Sequence, residues 1–258
     1  MSLELECLHF AYGSRGVLRG VDVQWDTGQM VGLLGPNGAG KSTLVTCVAQ
    51  LRRYTGRVTF GGRTGRDLRG LIGYMPQGLP GDAALTALES VLTASRRGLT
   101  WHTSRADIDL AWAALDELGV ADLSDRPLGQ LSGGQRQLVA LAQTLVREPE
   151  LVLLDEPTSA LDLRRQVAVL SHVRRICHRD AGRLAVVALH DLNLAARFCD
   201  RLALLDGGRV LAEGPPVEVL RPDVIAEVYG LRVRIVPDGD YIMVAPEADQ
   251  ADGADRAG

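Results

Sequence analysis

The spacing of apolar residues divides the chain into stretches that favour different secondary structures. Up to residue 60, side chains alternate in character between glycines, which predicts strands over LELECLHF, GVDVQWD and TGRVTF. Over about 85–147 the apolar residues recur at helical spacing, with a break at 129–134 and a stop before Pro149. We therefore predict strands first and a helical block after them.

Two later segments are apolar throughout, which is typical of strands buried on both faces of a parallel sheet. They are LVLLD at 151–155 and LAVVAL at 184–189, with a helix over 163–178 predicted between them. Two hairpins are predicted near the end, where DGG and PDGD separate pairs of strands. The predicted fold class is α/β: a mostly parallel core, an antiparallel β region before it and an inserted helical region.

Composition narrows the class of protein. The chain has 258 residues, of which 46% are hydrophobic and 23% charged, and this balance is typical of a globular protein with a sizeable core. Its net charge of -4 argues against a nucleic-acid-binding protein. The N-terminus lacks the pattern of a signal peptide, and no apolar run approaches about 20 residues, so we expect membrane association only through a partner. The tail at 246–258 is almost free of apolar residues, which predicts disorder.

Two residue types are informative because they are scarce. Lys41 is the single lysine in a chain rich in arginine, which indicates a position that needs a compact ammonium group. The four cysteines show no spacing of zinc type, which favours free, mostly buried thiols in a reducing compartment.

A glycine-rich loop carries the strongest chemical signal. GPNGAGKS fits the pattern G-x-x-x-x-G-K-[ST], preceded by an apolar strand at 30–34 and followed by a helix from Lys41 to about Leu51. Its glycines let successive N–H groups point at a phosphate, and the helix start adds partial positive charge. Lys41 is expected to reach the β- and γ-phosphates of a nucleotide, and the Ser42 hydroxyl to ligate Mg²⁺. The predicted nucleotide contacts are Gly35, Pro36, Asn37, Gly38, Ala39, Gly40, Lys41, Ser42 and Thr43.

A pair of acids follows one of the buried strands. LVLLD delivers Asp155 and Glu156 to the carboxyl end of the sheet, where ligands bind in open α/β folds. Asp155 is placed to hold Mg²⁺ through water. Glu156 is placed to polarise an attacking water, either as a general base or as an orienting group.

The segment LSGGQ lies between these two elements, at a predicted helix start. Ser132 is suited to cap the helix, and two glycines leave the neighbouring N–H groups open, so this is a second anion-binding helix start in one chain. One nucleotide cannot easily use both from the same subunit. Head-to-tail pairing of two copies solves this, because the second site then closes over the partner's γ-phosphate. The predicted contacts are Ser132, Gly133, Gly134 and Gln135.

With these motifs the chain resembles the ATP-binding-cassette (ABC) ATPases across nearly its whole length. GPNGAGKST is similar to their Walker A loop, LVLLDE to their Walker B strand and LSGGQ to their signature. The resemblance implies a P-loop NTPase with a RecA-like core. It further implies one cassette over 1–245, which contains an inserted helical and signature subdomain over 78–148.

The resemblance also implies roles for single residues. Tyr12, in FAYG, resembles the aromatic residue that stacks on adenine, and Gln77, in YMPQ, the glutamine that senses Mg²⁺ and the γ-phosphate. Asp162, at the end of SALD, resembles a residue of the loop that crosses the dimer interface, and His190 the histidine that touches the γ-phosphate. ATP hydrolysis with Mg²⁺ is therefore expected. The implied catalytic residues are Lys41, Gln77, Glu156 and His190, and the implied metal-binding residues are Ser42, Gln77 and Asp155.

Two classes of function remain open for such a cassette, a membrane transporter subunit and a protein acting on DNA or ribosomes. The second class usually carries coiled-coil arms, zinc modules or two fused cassettes, and the sequence has none of these. Transport is therefore favoured, with the chain peripheral at the cytoplasmic face of the membrane. We expect a second copy, membrane-spanning permease subunits and, indirectly, a substrate-binding protein as partners, and no nucleic acid.

Within transport, the segments HDLNLAARFCDRLALLDGGRVLAEGPPVEVL and EPTSALDLRRQVAVL resemble the importers of iron-siderophore, haem and cobalamin complexes. The segment SRRGLTWHTSRAD departs from the commonest form of that family, in a region expected to meet the membrane subunit. Other importers and exporters stay open as alternatives.

Overall fold

The computed structural model of the chain describes residues 1–78, 84–95, 103–179 and 182–247. Their strands form a three-stranded, a six-stranded and a two-stranded sheet. The strands are β1 (Ser2–Tyr12), β2 (Arg15–Asp26), β3 (Gln29–Leu34), β4 (Thr55–Phe60), β5 (Ile72–Met75), β6 (Leu151–Asp155), β7 (Leu184–Ala188), β8 (Arg201–Asp206), β9 (Arg209–Gly214), β10 (Val233–Asp238) and β11 (Tyr241–Pro246). The helices are α1 (Lys41–Val48), α2 (Gly65–Arg69), α3 (Ala87–Ser95), α4 (Arg105–Glu117), α5 (Gly133–Leu145), α6 (Leu163–Arg179), α7 (Leu192–Phe198), α8 (Pro216–Val219) and α9 (Pro222–Tyr229), with short 3-10 turns at Ala121–Leu123 and Leu128–Gln130.

The six-stranded sheet is the centre of the fold. Its order is β5-β6-β7-β3-β8-β9, with every neighbouring pair parallel except β8 and β9. Strands β6 and β7 are buried at every position, as their continuous apolar sequences predict. This confirms the predicted mostly parallel α/β core.

The two faces of this sheet pack into two separate apolar cores. Alternate residues of β6 divide between them: Leu151 and Leu153 pack with β1, β2 and α1, whereas Val152 and Leu154 pack with the helical block and α6. The period of two in a strand produces this division. The predicted antiparallel region is the β2-β1-β4 sheet, which covers the first face.

Both predicted hairpins are present. Strands β8 and β9 pair antiparallel around the DGG turn, and β10 pairs antiparallel with β11 around PDGD. Three of the four cysteines are buried, and none of the four, all within the described residues, forms a disulfide bond. Disorder was predicted for 246–258, but Pro246 is the last residue of β11 and Glu247 N donates to Arg232 O at 2.9 Å. The rest of the tail, from 248 onwards, lies outside the described residues, as does 96–102 within the divergent SRRGLTWHTSRAD segment.

Some boundaries differ from those expected. Helix α1 ends at Val48 and not near Leu51, because Gln50 adopts the left-handed conformation with φ 59. Gly133 and Gly134 do not interrupt the helical block, since they are the first two residues of α5. The sequence analysis did not predict the edge strand β5. This strand has only four residues, and two of them are only half buried, so its sequence pattern is weak.

Candidate active site

The glycine-rich loop GPNGAGKS, called the phosphate-type loop from here on, connects the end of β3 to the start of α1. It lies at the carboxyl edge of the main sheet. Gly35, Gly38 and Gly40 have φ values of 141, 83 and 111, which residues with a Cβ rarely adopt. A Cβ at Gly35 would also lie 2.1 Å from the Leu205 carbonyl oxygen. No side chain caps the first N–H groups of α1. The helix start is therefore suited to bind an anion.

Lys41 is held across this loop by two backbone carbonyls. Its Nζ donates to Gly35 O at 2.6 Å and to Pro36 O at 3.1 Å, and the residue is only 6% exposed. Burial lowers the pKa of the ammonium group, and the carboxylates of Glu156 and Asp155 oppose that shift. The loop therefore presents one compact, preoriented positive charge.

Ser42 and Asp155 form the oxygen pair expected at a magnesium site. Ser42 Oγ donates to Asp155 Oδ1 at 2.9 Å, and Asp155 is 3% exposed. Burial raises the pKa of the Asp155 carboxyl group, while the Ser42 hydrogen bond opposes the shift. Within the described residues there is no cluster of three or more His, Cys, Asp or Glu that could hold a metal ion. One carboxylate and one hydroxyl nevertheless fit Mg²⁺, which commonly takes its other ligands from phosphates and water.

Glu156 brings three strand ends together. Its carboxylate accepts a 2.7 Å hydrogen bond from Gln77 Nε2, and its second oxygen is hydrogen-bonded to His190 Nε2. Gln77 follows β5, Glu156 follows β6 and His190 follows β7, and these three strands are neighbours in the sheet. The carboxylate is therefore oriented from both sides, at the edge of the phosphate-type loop.

An open cleft of about 1250 Å³ contains most of these groups. Tyr12 lies in it, 48% exposed, with its ring edge-to-face against Phe10 at 4.8 Å and the Arg52 guanidinium 5.4 Å from its centre. A flat aromatic face at the rim of a phosphate site is suited to stacking on a base. Of the residues predicted from sequence, the cleft brings together Tyr12, Asn37, Gly38, Ala39, Gly40, Lys41, Ser42, Thr43, Gln77, Glu156 and His190.

The LSGGQ segment and Asp162 are not among the residues that line this cleft. Ser132 Oγ accepts from Gln135 N at 3.2 Å and Gln135 Oε1 accepts from Ser132 N at 2.9 Å, so a capping box fixes the start of α5. Asp162 Oδ1 accepts from Arg165 N at 2.9 Å at the start of α6. A single chain therefore presents two separate surfaces, the cleft and the LSGGQ helix start.

The sequence reasoning missed several residues of the cleft wall. Arg15 and Arg19 line it from β2, and Gly208 lines it from the turn between β8 and β9. Gly208 must be glycine, because a Cβ there would lie 2.0 Å from the Val17 carbonyl oxygen. The DGG sequence signalled a hairpin turn, but it carried no sign that the turn packs beside Val17.

Comparison with known families supplies the class of this protein. The family model described as "ABC transporter" matches residues 18–159, which include the loop, LSGGQ and the acid pair. The chain therefore belongs to the ABC transporter family, as an ATP-binding, ATP-hydrolysing cassette with a P-loop NTPase fold.

Its relatives narrow this class further. The chain is 40% identical over 245 residues to the hemin import ATP-binding protein HmuV of Pseudomonas fluorescens. This match covers 90% of the present chain and 94% of HmuV. It is 35% identical to the iron(3+)-hydroxamate import ATP-binding protein FhuC of Bacillus subtilis, covering 92% and 91% of the two chains. A dimeric ATP-binding cassette solved in a post-hydrolysis state with ADP and Pi matches with a TM-score of 0.73 at 29% identity, over 83% of this chain and 98% of the other.

Among the residues that the structure describes, no helix has the length and apolar character needed to cross a membrane.

Proposed function

We propose that this chain hydrolyses ATP at sites shared by two copies and thereby energises the import of haem or an iron chelate through separate membrane subunits. The observation that carries the proposal is the Glu156 carboxylate, held between Gln77 and His190 beside the loop that contains Lys41. The names of the two relatives support the cargo class.

In this proposal the loop binds the triphosphate. The backbone N–H groups of residues 37–42 and the Lys41 ammonium group surround the β- and γ-phosphates, and Tyr12 stacks on the adenine at the other end of the cleft. Ser42, Asp155 and Gln77 would hold Mg²⁺, which neutralises developing charge on the phosphates when bound.

Glu156 then directs water onto the γ-phosphate. Its carboxylate accepts the water's proton or orients the water for in-line attack, and Gln77 and His190 keep it aimed at that position. Charge stabilisation and positioning account for most of the rate in this type of reaction.

The LSGGQ surface of a second copy completes the site. In a head-to-tail dimer, the N–H groups at the start of α5 would face the partner's γ-phosphate, and Asp162 would lie at the interface. The dimeric structure of a similar cassette with ADP and Pi supports the pairing of two copies. Hydrolysis removes the shared phosphate contacts, so the pair opens, and that two-state movement drives the membrane subunits.

We further propose that 1–245 is one cassette, with 78–148 as an inserted helical and signature subdomain, peripheral at the cytoplasmic face of the membrane. Permease subunits contact it directly, and a substrate-binding protein acts through them. Co-purification with a polytopic partner would support this part of the proposal. Isolation on ribosomes or DNA would contradict it.

The test of hydrolysis is Glu156→Gln, which keeps the size of the side chain and removes its charge. We expect this variant to bind ATP, to accumulate as a dimer and to lose at least about 100-fold in turnover, the range of a general base or water-orienting group. Turnover is measured by phosphate release and dimerisation by light scattering with ATP. Lys41→Ala should differ, because it weakens ATP binding itself. Hydrolysis by Glu156→Gln at the parent rate would show that the assignment is wrong.

The cargo is tested with the permease in proteoliposomes. Haem, a ferric hydroxamate or cobalamin, each with its binding protein, is compared for stimulation of ATP hydrolysis and for uptake. We expect stimulation by haem or the iron chelate. If neither haem nor the ferric hydroxamate is taken up, or if ATP drives transport outward, the import proposal is contradicted.

A further inference from the structure

The backbone turns sharply at Glu156, in a conformation that needs support. Its φ is 54, in the left-handed region that a residue with a Cβ enters at a cost. The Glu156 N–H still donates to Ala188 O of β7 at 3.2 Å, as if the sheet continued. Its carbonyl oxygen, in contrast, accepts its hydrogen bonds from outside the sheet. The direction of the Glu156 side chain depends on what holds this turn.

Gln137, on the helix that begins with LSGGQ, holds it. The residue is only 5% exposed, and its Nε2 donates to Glu156 O at 2.8 Å. Its Oε1 accepts from Ala160 N at 3.1 Å. The amide has one possible orientation, because a carbonyl can only accept and an N–H can only donate. Ser159, within the turn, also donates to Glu156 O. Gln137 bonds from a different element to both ends of the 156–160 turn.

The same turn packs directly on the first turn of α5. A Cβ at Gly134 would lie 2.9 Å from the Ala160 carbonyl oxygen and 3.2 Å from Leu161 Cδ2. The helix backbone therefore touches the turn without an intervening side chain, one helical turn before Gln137. The LSGGQ helix start and the backbone of Glu156 form one packed unit.

We infer that Gln137 is a positioning residue for ATP hydrolysis. By holding the Glu156 carbonyl, it aims the Glu156 carboxylate between Gln77 and His190. Gln137 also connects the Glu156 backbone to α5, whose LSGGQ end is proposed to face the nucleotide of the other copy. The cleft and the LSGGQ helix start of one chain therefore move together. This inference rests on the proposed function and adds a residue that acts through Glu156 without touching the nucleotide.

The test is Gln137→Met, which keeps the length and apolar contacts of the side chain and removes all of its hydrogen bonds, including a longer one to Ser159 Oγ at 3.4 Å. Because the effect is on positioning, we expect kcat to fall at least about 10-fold, with KM for ATP and ATP affinity within about 2-fold of the parent. Gln143→Met makes the same replacement further along α5 and should keep the parental kcat. A parental kcat in Gln137→Met would overturn the inference, as would an equal loss in both variants.

A double-mutant cycle asks whether Gln137 acts through Glu156. Glu156→Gln removes the carboxylate but keeps the backbone turn, so adding Gln137→Met should lower the residual rate by less than about 2-fold. Losses that multiply would show that Gln137 acts elsewhere, and the inference would be wrong. If instead Glu156→Gln alone keeps the parent rate, the proposed function fails, whatever Gln137 does.

Thermal unfolding is measured for every variant. If Gln137→Met does not fold, Gln137→Asn makes the same test, because it retains an amide but shortens the side chain by one methylene and carries both polar atoms out of reach. The expected split between kcat and KM is the same. A parental kcat for folded Gln137→Asn would equally overturn the inference.

Discussion

Ser42 and Asp155 are 113 positions apart in the sequence, yet the Ser42 hydroxyl donates to Asp155 Oδ1 at 2.9 Å. Ser42 is the second residue of α1, and Asp155 is the last residue of β6, which lies two places away from β3 in the sheet. The sheet thereby places a hydroxyl and a buried carboxylate beside the phosphate-type loop. This pair of oxygens is the basis for expecting Mg²⁺ there.

The first prediction concerns Asp155→Asn, which keeps the shape of the side chain and removes its negative charge. The Mg²⁺ concentration for half-maximal hydrolysis should rise about 10- to 100-fold, as expected when a metal site loses a charged partner. It is measured by titrating Mg²⁺ at fixed ATP. The control is Asp206→Asn, at the end of β8, which is not among the residues lining the cleft and should leave the Mg²⁺ dependence unchanged. An unchanged requirement in Asp155→Asn would place the metal elsewhere.

The parts that could be predicted from sequence are those fixed by short segments. The loop over residues 35–42 carries its own glycines, lysine and hydroxyl, and the continuous apolar segments of β6 and β7 identify the centre of the sheet. Local residue choice determines each of these elements. The fold class and the phosphate-type loop were therefore accessible without a structure.

The parts that could not be predicted depend on contacts between distant segments. Strand β5 has four residues and no clear period, so the position of Gln77 beside Glu156 was accessible only through the family resemblance. Nothing in the helical spacing of QRQLVALAQTLVRE distinguishes Gln137 from the other polar residues of that helix. Its burial and its bonds to Glu156 and Ala160 arise only when α5 packs on the turn after β6.

The second prediction is that Lys41→Arg does not conserve function. The buried ammonium group is bonded to two carbonyls of the loop, and a longer, planar guanidinium presents its donors in a different geometry. Because a charge-assisted hydrogen bond contributes about 1.5–3 kcal/mol, ATP affinity should fall at least about 10-fold by calorimetry. Arg15→Lys makes the reverse exchange at the wall of the same cleft, and an exposed charge there should change affinity by less than about 5-fold. Equal affinities for Lys41→Arg and the parent would show that the compact charge is not required.

The third prediction separates the aromatic face of Tyr12 from its hydroxyl group. Tyr12→Ala should raise KM for ATP roughly 10-fold with little change in kcat, because stacking of a base on an aromatic ring contributes about 1–3 kcal/mol. Tyr12→Phe keeps the ring and its edge contact with Phe10, and it should behave like the parent. Steady-state kinetics distinguishes the two variants. A similar KM in Tyr12→Ala and Tyr12→Phe would show that the ring does not contact the base.

The last prediction uses the two glycines of LSGGQ, which differ in their surroundings. A methyl group on Gly133 would meet only Ala160 Cβ at an ordinary 3.7 Å, whereas one on Gly134 would lie 2.9 Å from the Ala160 carbonyl oxygen. Gly134→Ala should therefore lower the free energy of unfolding by about 1–2 kcal/mol, after allowing for the better helix propensity of alanine. Gly133→Ala should leave it unchanged or slightly higher. Urea unfolding of the nucleotide-free chain measures both.

Hydrolysis should respond to the same two variants in a different order. Gly133 is exposed at the start of α5, so a methyl group there stands beside the N–H groups proposed to face the partner's γ-phosphate. We expect Gly133→Ala to lose ATPase activity and ATP-dependent dimerisation while it keeps parental stability and nucleotide binding in its own cleft. Full activity in Gly133→Ala would contradict the shared site. Of the two positions, only Gly134 lies close to the Ala160 carbonyl oxygen. Equal destabilisation by both variants would therefore show that this contact does not explain the glycine at position 134.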